Sequence, residues 1–389
     1  TVCKGHLTDI GGPVPAGYNP AATEIYAEGL RIPPLKLWDK GKPRHDVMNL
    51  LLSNMRARRD QQGDFNALIG ACKVGARALI GLMDKYGKDT VQTCIAELLD
   101  MAEAHMRSLI AKVPDGTYVG TAILEDAGHG FGDFDITATV TITGDSCHIA
   151  IQSPPQIPYF INSYEGNSHS GVYLGLMMFA QLPPPYNEGL YRCVSTDMGP
   201  KGTLCNAKSP APHMNCTTTP TETLTDAVRL AFEQAAPDKV CASWGHANGC
   251  NIAGWDKRHD EEYVTMVLAS IISGAGATSK ADGWHAVGPE CCFGALTSGD
   301  IEMLEHSYPI IIHRYGLMED SGGAGRNRGG SGTCWEVEPL DTPMTLITFG
   351  EGRRIPAMGA AGARSAMIAP KVGRLELTRN GATEIITDN

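Results

Sequence analysis

Near the start of the 389-residue chain, His6 and Asp9 stand in the run Gly5-His6-Leu7-Thr8-Asp9-Ile10-Gly11-Gly12. A neutral imidazole and a carboxylate are donors that zinc, manganese and similar divalent ions accept. The same two groups make a workable acid/base pair. The diglycine lets the backbone bend sharply and come close to a ligand. Cys3, at the same spacing before His6, is a further candidate donor. Two ligands fall short of the three or four a metal site needs. On composition alone, a surface histidine beside a turn aspartate stays open as a reading.

A second candidate lies at Asp320-Ser321-Gly322-Gly323-Ala324-Gly325-Arg326-Asn327-Arg328-Gly329-Gly330. Glycine-rich backbone with Arg326 and Arg328 could cradle an anion. It lacks a Gly-Lys-Ser/Thr ending, so it is no P-loop. A structural turn in which both arginines pair with carboxylates is equally open. Arg56, Arg58 and Arg59 read as charges suited to a helix end. His129, His169, His246 and His285 lack ligand spacing and read as structural or exposed. Glu290-Cys291-Cys292 could present a thiol, but no Cys/His/Asn arrangement accompanies it; packing beside a turn is the plainer reading.

These residues must be positioned by the elements around them. Prolines and glycines up to Pro34 forbid long helices and favour a surface arm or a site-forming loop. Apolar spacing of three and four predicts helices over His45–Arg59, Phe65–Met83 (ending at Tyr86-Gly87) and Thr90–Lys112. The period then becomes two. Phe134–Ile142 and His148–Ile151 read as a hairpin about Thr143-Gly144-Asp145, with Thr117–Leu124 as another strand. Further helices are expected at Ser168–Gln181, Thr221–Ala235 and Asp260–Ser273. A connector carrying Trp244, His246, Cys250 and Trp255 separates the last two. Strands are expected at Tyr308–Tyr315 and Thr333–Val337, and a hairpin at Gly373–Ile386. The fold class is α+β: a helical N-terminal part followed by mixed and antiparallel sheets with packed helices. The organisation expected is a site-forming loop plus helical region over 1–115 and a mixed α+β region over 116–389.

The formal net charge of -11 disfavours nucleic acid and anionic membrane surfaces as partners. No stretch approaches the roughly 20 apolar residues that span a membrane, so no membrane is expected. Twelve cysteines without any CxxC pair suggest reduced thiols in a cytoplasmic protein. The chain starts at Thr1, without a signal-peptide pattern, so sequence upstream of His6 is expected to be missing or removed.

The His6-Leu-Thr-Asp9-Ile-Gly-Gly run resembles the His-x-x-Asp-(Ile/Val)-Gly-Gly signature of B-type subunits of the ATP-dependent hydantoinase/oxoprolinase family. Glu24–Leu37, Gly63–Ala67 and Asp320–Gly330 are also similar to that family, so the resemblance covers most of the chain. It implies that His6 and Asp9 hold a divalent metal, zinc or manganese, near the reacting carbonyl and serve catalysis. It implies an A-type partner of actin/Hsp70-like fold that binds ATP with Mg, in a hetero-oligomer acting on a small carbonyl substrate. Arg31, where acetone-carboxylase relatives have a ligating His, matches the hydantoinase-like form and could orient a carboxylate or phosphate, as could Arg326 and Arg328. Relatives contribute another aspartate upstream of His6 and a glycine-rich C-terminal tail, both expected to lie outside this sequence. The implied reaction is ATP-driven ring opening of a cyclic amide such as a hydantoin or 5-oxoproline. ATP-dependent ketone carboxylation, as in acetophenone carboxylases, stays open because the doubled His of many hydrolases is absent before Leu7. A non-catalytic scaffold role is the third reading.

Overall fold

Alternation of apolar and polar residues builds the central sheet. In the computed structural model, which describes residues 3–125, 130–181, 183–340, 342–352, 354–361 and 375–386, its first strands are β1 (Gly116–Leu124), β2 (Phe134–Thr143) and β3 (Ser146–Gln152). Phe134, Ile136, Ala138, Val140 and Ile142 all point into the core, as a period of two requires. The β2–β3 turn uses Gly144 at positive φ, at the expected place. After α4 (Glu165–Ala180), β4 (Val194–Asp197) joins parallel to β3, completing the order β1-β2-β3-β4.

α5 (Thr219–Ala235) lies across β1 and β2, and α4 packs on α5. Small residues make this approach possible. A Cβ on Gly120 would stand 2.1 Å from the Ala227 carbonyl oxygen, and one on Gly175 would stand 2.7 Å from Val228 Cβ. Phe179 and Phe232 stack with ring centroids 4.2 Å apart.

The N-terminal helices form α1 (His45–Leu52), α2 (Arg58–Tyr86) and α3 (Lys88–Ile110). The expected helix over 45–59 is interrupted after Leu52. The Arg56 backbone N–H is donated to Asp9 rather than to a helical carbonyl, so the chain turns before α2 begins. The expectation of no membrane-length apolar stretch needs correction: by length and composition α2 is long and apolar enough to cross a membrane, its best window having a mean hydropathy of 1.3. Lys73 and Arg77 interrupt that window in sequence, and Lys73 Nζ lies 3.6 Å from the Trp38 ring centroid. Among its residues only Gln61 and Phe65 are buried.

The second half corrects one element. Asp260–Ser273, expected as a helix, is strand β6 (Glu261–Met266) followed by a short 3-10 turn at Leu268–Ile271. Its partner β5 (Asn248–Asp256) occupies much of the expected connector. Between them Asp256 binds its own turn, accepting from the Arg258 backbone N–H at 2.9 Å and from its guanidinium at 2.7 Å. β-branched Val264 and Thr265 suit a strand better than a helix. Beyond α6 (Ile301–Ser307), β7 (Ile310–Leu317) pairs with β8 (Thr333–Pro339), β9 (Met344–Gly350) adds to β5, and β10 (Leu375–Arg379) pairs with β11 (Ala382–Ile386). The last pair matches the expected hairpin, though Gly373 lies outside the described residues.

The packing at Gly120 generates a prediction. Gly120→Ala should lower stability by about 1–3 kcal/mol, since helix and strand must separate to admit a methyl group. Denaturant unfolding measures it; an unchanged midpoint would show that the two elements are not held at this distance.

Candidate functional site

The N-terminal motif is folded by its own carboxylate. Asp9 is fully buried. Its Oδ1 accepts from the Ala16 backbone N–H at 3.0 Å and from Arg56 Nη1 at 3.2 Å, and its Oδ2 accepts from the Arg56 backbone N–H at 2.7 Å. The same guanidinium donates to the Gly12 carbonyl at 2.7 Å. Buried Gln61, with its amide oxygen turned inward, accepts from the backbone N–H groups of Thr8 and Asp9 at 2.7 and 3.0 Å. Gly11 and Gly12 both take positive φ, and a Cβ on Gly11 would meet the Asn54 carbonyl at 2.3 Å. The diglycine therefore bends the backbone sharply, as expected, and brings it against the Asn54 carbonyl.

His6 is exposed beside this loop. Among the described residues, no third His, Cys, Asp or Glu joins His6 and Asp9 in a grouping able to hold an ion. His6 is an open donor. Both Asp9 oxygens are taken up by Ala16 and Arg56.

Arg31 is exposed, its guanidinium carbon 5.0 Å from the Tyr26 ring centroid. Its charge is felt by Tyr164 and His213, whose rings meet edge-on at 4.7 Å. Beneath them, buried Glu28 accepts from the backbone N–H groups of His213 and Met214, both at 2.7 Å. Burial raises the Glu28 carboxyl to about 7, against those two hydrogen bonds, which act to lower it.

A second cluster sits on α5, and sequence reading missed it. Glu222, Asp226 and Arg229 share one stripe of this helix and are all buried. Asp226 Oδ1 accepts from Arg229 Nε at 3.0 Å and from the Ser243 hydroxyl. Asp226 Oδ2 lies 3.0 Å from His246 Nε2. Glu222 accepts from the backbone N–H groups of Ala247 at 2.8 Å and Cys291 at 3.3 Å. Glu351 accepts from the Thr223 hydroxyl at 3.0 Å and lies 3.8 Å from His246 Nδ1. Glu290 is buried with neither carboxyl oxygen hydrogen-bonded. Burial pushes the Glu351 carboxyl up to about 8 and also raises Glu222 and Glu290. Burial acts to raise Asp226 too, but the Arg229 charge holds it below the usual carboxylate range. For His246, burial favours the neutral ring, yet the Asp226 hydrogen bond and the surrounding carboxylates carry its pKa well above the ordinary value.

His246 also lines a cavity of about 160 Å³ shared with Asn248, Asn327, Gly330 and Gly352. Thus the 320–330 loop and the cluster meet at one space. The expected anion cradle is not formed by the loop's backbone around Arg328. The N–H groups of Arg328, Gly329, Gly330 and Ser331 donate to Asp282, Gly323, Ala275 and His285. The Arg328 guanidinium pairs with Asp320 at 2.6 Å, and Arg326 is exposed. Neither Arg326 nor Arg328 lines the cavity, nor does Arg31. Cys291 and Cys292 have Sγ atoms 3.8 Å apart, and all twelve cysteines are free. His129 lies outside the described residues.

The hydantoinase B/oxoprolinase family matches residues 1–386. The chain belongs to this family. It is 71% identical over 376 residues to the beta chain of the Pseudomonas jessenii caprolactamase, covering 96% of this chain and 65% of that one. It is 31% identical to the B-type chain of a putative D-/L-hydantoinase from Pseudomonas sp. (strain NS671), covering 87% of this chain and 58% of that one. The crystal structure of ATP-dependent caprolactamase from Pseudomonas jessenii superposes with a TM-score of 0.92 and 66% identity, over 99% of this chain and 67% of that one. The chain thus spans about two thirds or less of the length of these family members.

Two sequence signals could have exposed the α5 cluster. Glu351 stands between Gly350 and Gly352, both at positive φ, a backbone that turns the carboxylate inward at the end of β9. On α5, Glu222, Asp226 and Arg229 recur at helical spacing beside Leu224, Val228 and Phe232. That pattern reads as a solvated face until the tertiary structure buries it.

Glu28 yields a pH prediction. Its folded pKa of about 7 lies above the ordinary 4.5, so the folded chain holds this proton more tightly than the unfolded one. The stabilisation is full below about pH 4.5 and is lost as pH rises through about 7. Unfolding midpoints at about pH 5 and about pH 8 should fall further in the wild type than in Glu28→Gln. Equal falls would show that Glu28 does not carry the proton.

Proposed function

We propose that this chain acts as the B-type subunit of an ATP-dependent cyclic amide hydrolase that opens a lactam-like ring. The observation that carries this is the 71% identity to the caprolactamase beta chain, maintained over 96% of the sequence. An A-type ATPase partner of actin/Hsp70-like fold completes the enzyme as a hetero-oligomer and binds ATP with Mg. The setting is the cytoplasm, where ATP is available.

The chemistry follows from the substrate class. An unstrained amide is a poor electrophile because nitrogen donates into the carbonyl. The lactam oxygen attacks the γ-phosphorus of ATP, ADP leaves, and the ring carbon now carries a phosphorylated oxygen. Water adds to that carbon, the C–N bond breaks, and the nitrogen departs as an amine after taking a proton. The acyl phosphate left behind meets a second water and releases phosphate. One lactam, one ATP and two waters give the amino acid, ADP and phosphate.

In this reading exposed Arg31, beside Tyr26, Tyr164 and His213, orients the carboxylate or phosphate of a substrate or intermediate. Exposed Arg326 and Asp320-paired Arg328 contribute positive charge at the second loop. His6, the open donor of the first motif, moves a proton or ligates a zinc or manganese ion together with Asp9 and groups outside the described residues. Such an ion would polarise the carbonyl.

The test is co-expression with the A-type partner and measurement of phosphate release. Lactam, hydantoin or 5-oxoproline should stimulate ATP turnover, with matching amounts of ring-opened product. His6→Ala should lower kcat by about 100-fold or more. Stimulation only by a ketone with bicarbonate would replace this reading with carboxylation. No stimulation by either class would remove both enzyme readings and leave the scaffold.

A further inference from the structure

We propose that Glu222, His246 and Glu351 form a divalent-cation site, distinct from the His6–Asp9 motif. Their ligand atoms all lie within 4.8 Å of one another. An ion bound tetrahedrally with bonds of about 2.1 Å holds its ligands about 3.4 Å apart. The His246 Nδ1 to Glu351 Oε1 distance is 3.8 Å, so closing onto an ion needs only a small contraction.

The pattern of hydrogen bonds points to a missing partner. His246 Nδ1 and Glu351 Oε2 are buried and have no hydrogen-bond partner. Unmet buried polar atoms are costly and call for an explanation such as an ion. The other imidazole nitrogen, Nε2, faces Asp226 Oδ2 at 3.0 Å. A metal-bound histidine characteristically donates its remote N–H to a carboxylate in this way, which fixes the ring and leaves the other nitrogen's lone pair for the ion. Asp226 is in turn fixed by Arg229 and Ser243.

A second grouping, Asp226, His246 and Glu290, also has suitable proximity. There Asp226 is already held by the Arg229 guanidinium, the Ser243 hydroxyl and His246 Nε2, whereas Glu222 accepts only two backbone N–H groups and keeps lone pairs for an ion. Asp226 is therefore a positioning residue for His246, not a ligand. Charge agrees with this assignment. Glu222, Asp226, Glu290 and Glu351 bury four carboxyl groups beside Arg229 and one imidazole, and a divalent ion would favour the ionised form of those that bind it. One nitrogen and two carboxylates suit manganese or zinc. His246 and Asn248 line the cavity, and Asn248 Oδ1 is another buried atom without a partner, so the remaining positions of the ion face that space. The alternative occupant is protons alone, shared among the carboxyls and His246.

The site stands whether or not the chain opens lactams, and its test reads metal rather than turnover. In the assembled complex carrying His6→Ala, stripped with chelator and desalted, one equivalent of Mn²⁺ should rebind, displaceable by Zn²⁺. Its electron-spin-echo spectrum should show coupling to an imidazole nitrogen. His246→Gln in the same background should abolish that coupling, and His246→Gln and Glu351→Gln should each weaken binding by about 100-fold or more. Failure of the His6→Ala complex to bind an equivalent, or binding without nitrogen coupling, overturns the proposal even if the other variants do not fold. Unchanged affinity in a folded Glu351→Gln protein overturns it as well and leaves a cluster held by protons.

Discussion

The buried ion pair between Asp226 and Arg229 is the interaction on which the second half of the molecule is organised. Both side chains are almost wholly removed from water. Two charges in that position are tolerable only when every remaining donor and acceptor finds a partner. Arg229 accordingly reaches Glu233, Ser243 and the Cys241 carbonyl as well as Asp226. Asp226 reaches Ser243 and His246. The demand for partners draws the segment from Cys241 to Ala247 against α5 and fixes where His246 sits.

The same logic extends one helical turn back. Glu222 takes backbone N–H groups from Ala247 and Cys291, and Thr223 holds Glu351. One helix thereby gathers three segments distant in sequence: the approach to β5, the turn at Glu290–Cys292, and the end of β9. Gly120 and Gly175 let that helix press against sheet and helix on its other faces. Apolar packing on those faces and polar partnering on this one are both needed, since the polar stripe would otherwise face water.

Asp9 plays a comparable part at the N-terminal loop. Its carboxylate ties Ala16 and Arg56 together, and Gln61 holds the backbone on either side of the Thr8–Asp9 bond. The loop is thus docked on the junction between α1 and α2. Its continuation through Gly29 and Leu30 is pinned by the Ile10 carbonyl and by Glu28 on the 213–214 backbone. This brings Arg31 beside Tyr164 and His213, a juxtaposition built from three remote parts of the chain.

Much of this was legible in the residues themselves. Period-two runs placed β2 and β3, where one-sided burial leaves a local imprint, and three/four apolar spacing placed α2 and α3. The His6-Leu-Thr-Asp9-Ile-Gly-Gly run identified the family, and its diglycine announced the turn. Asp260–Ser273, expected as a helix, went the other way because pairing with β5 decided for a strand. His246 and Glu351 carried no ligand spacing, being brought together across 105 positions of sequence by the burial of α5. Sequence determined the elements, since their periodicity is local. Only tertiary structure decided that the polar stripe of α5 faces inward, because burial of a charged side chain depends on what the distant chain packs against it.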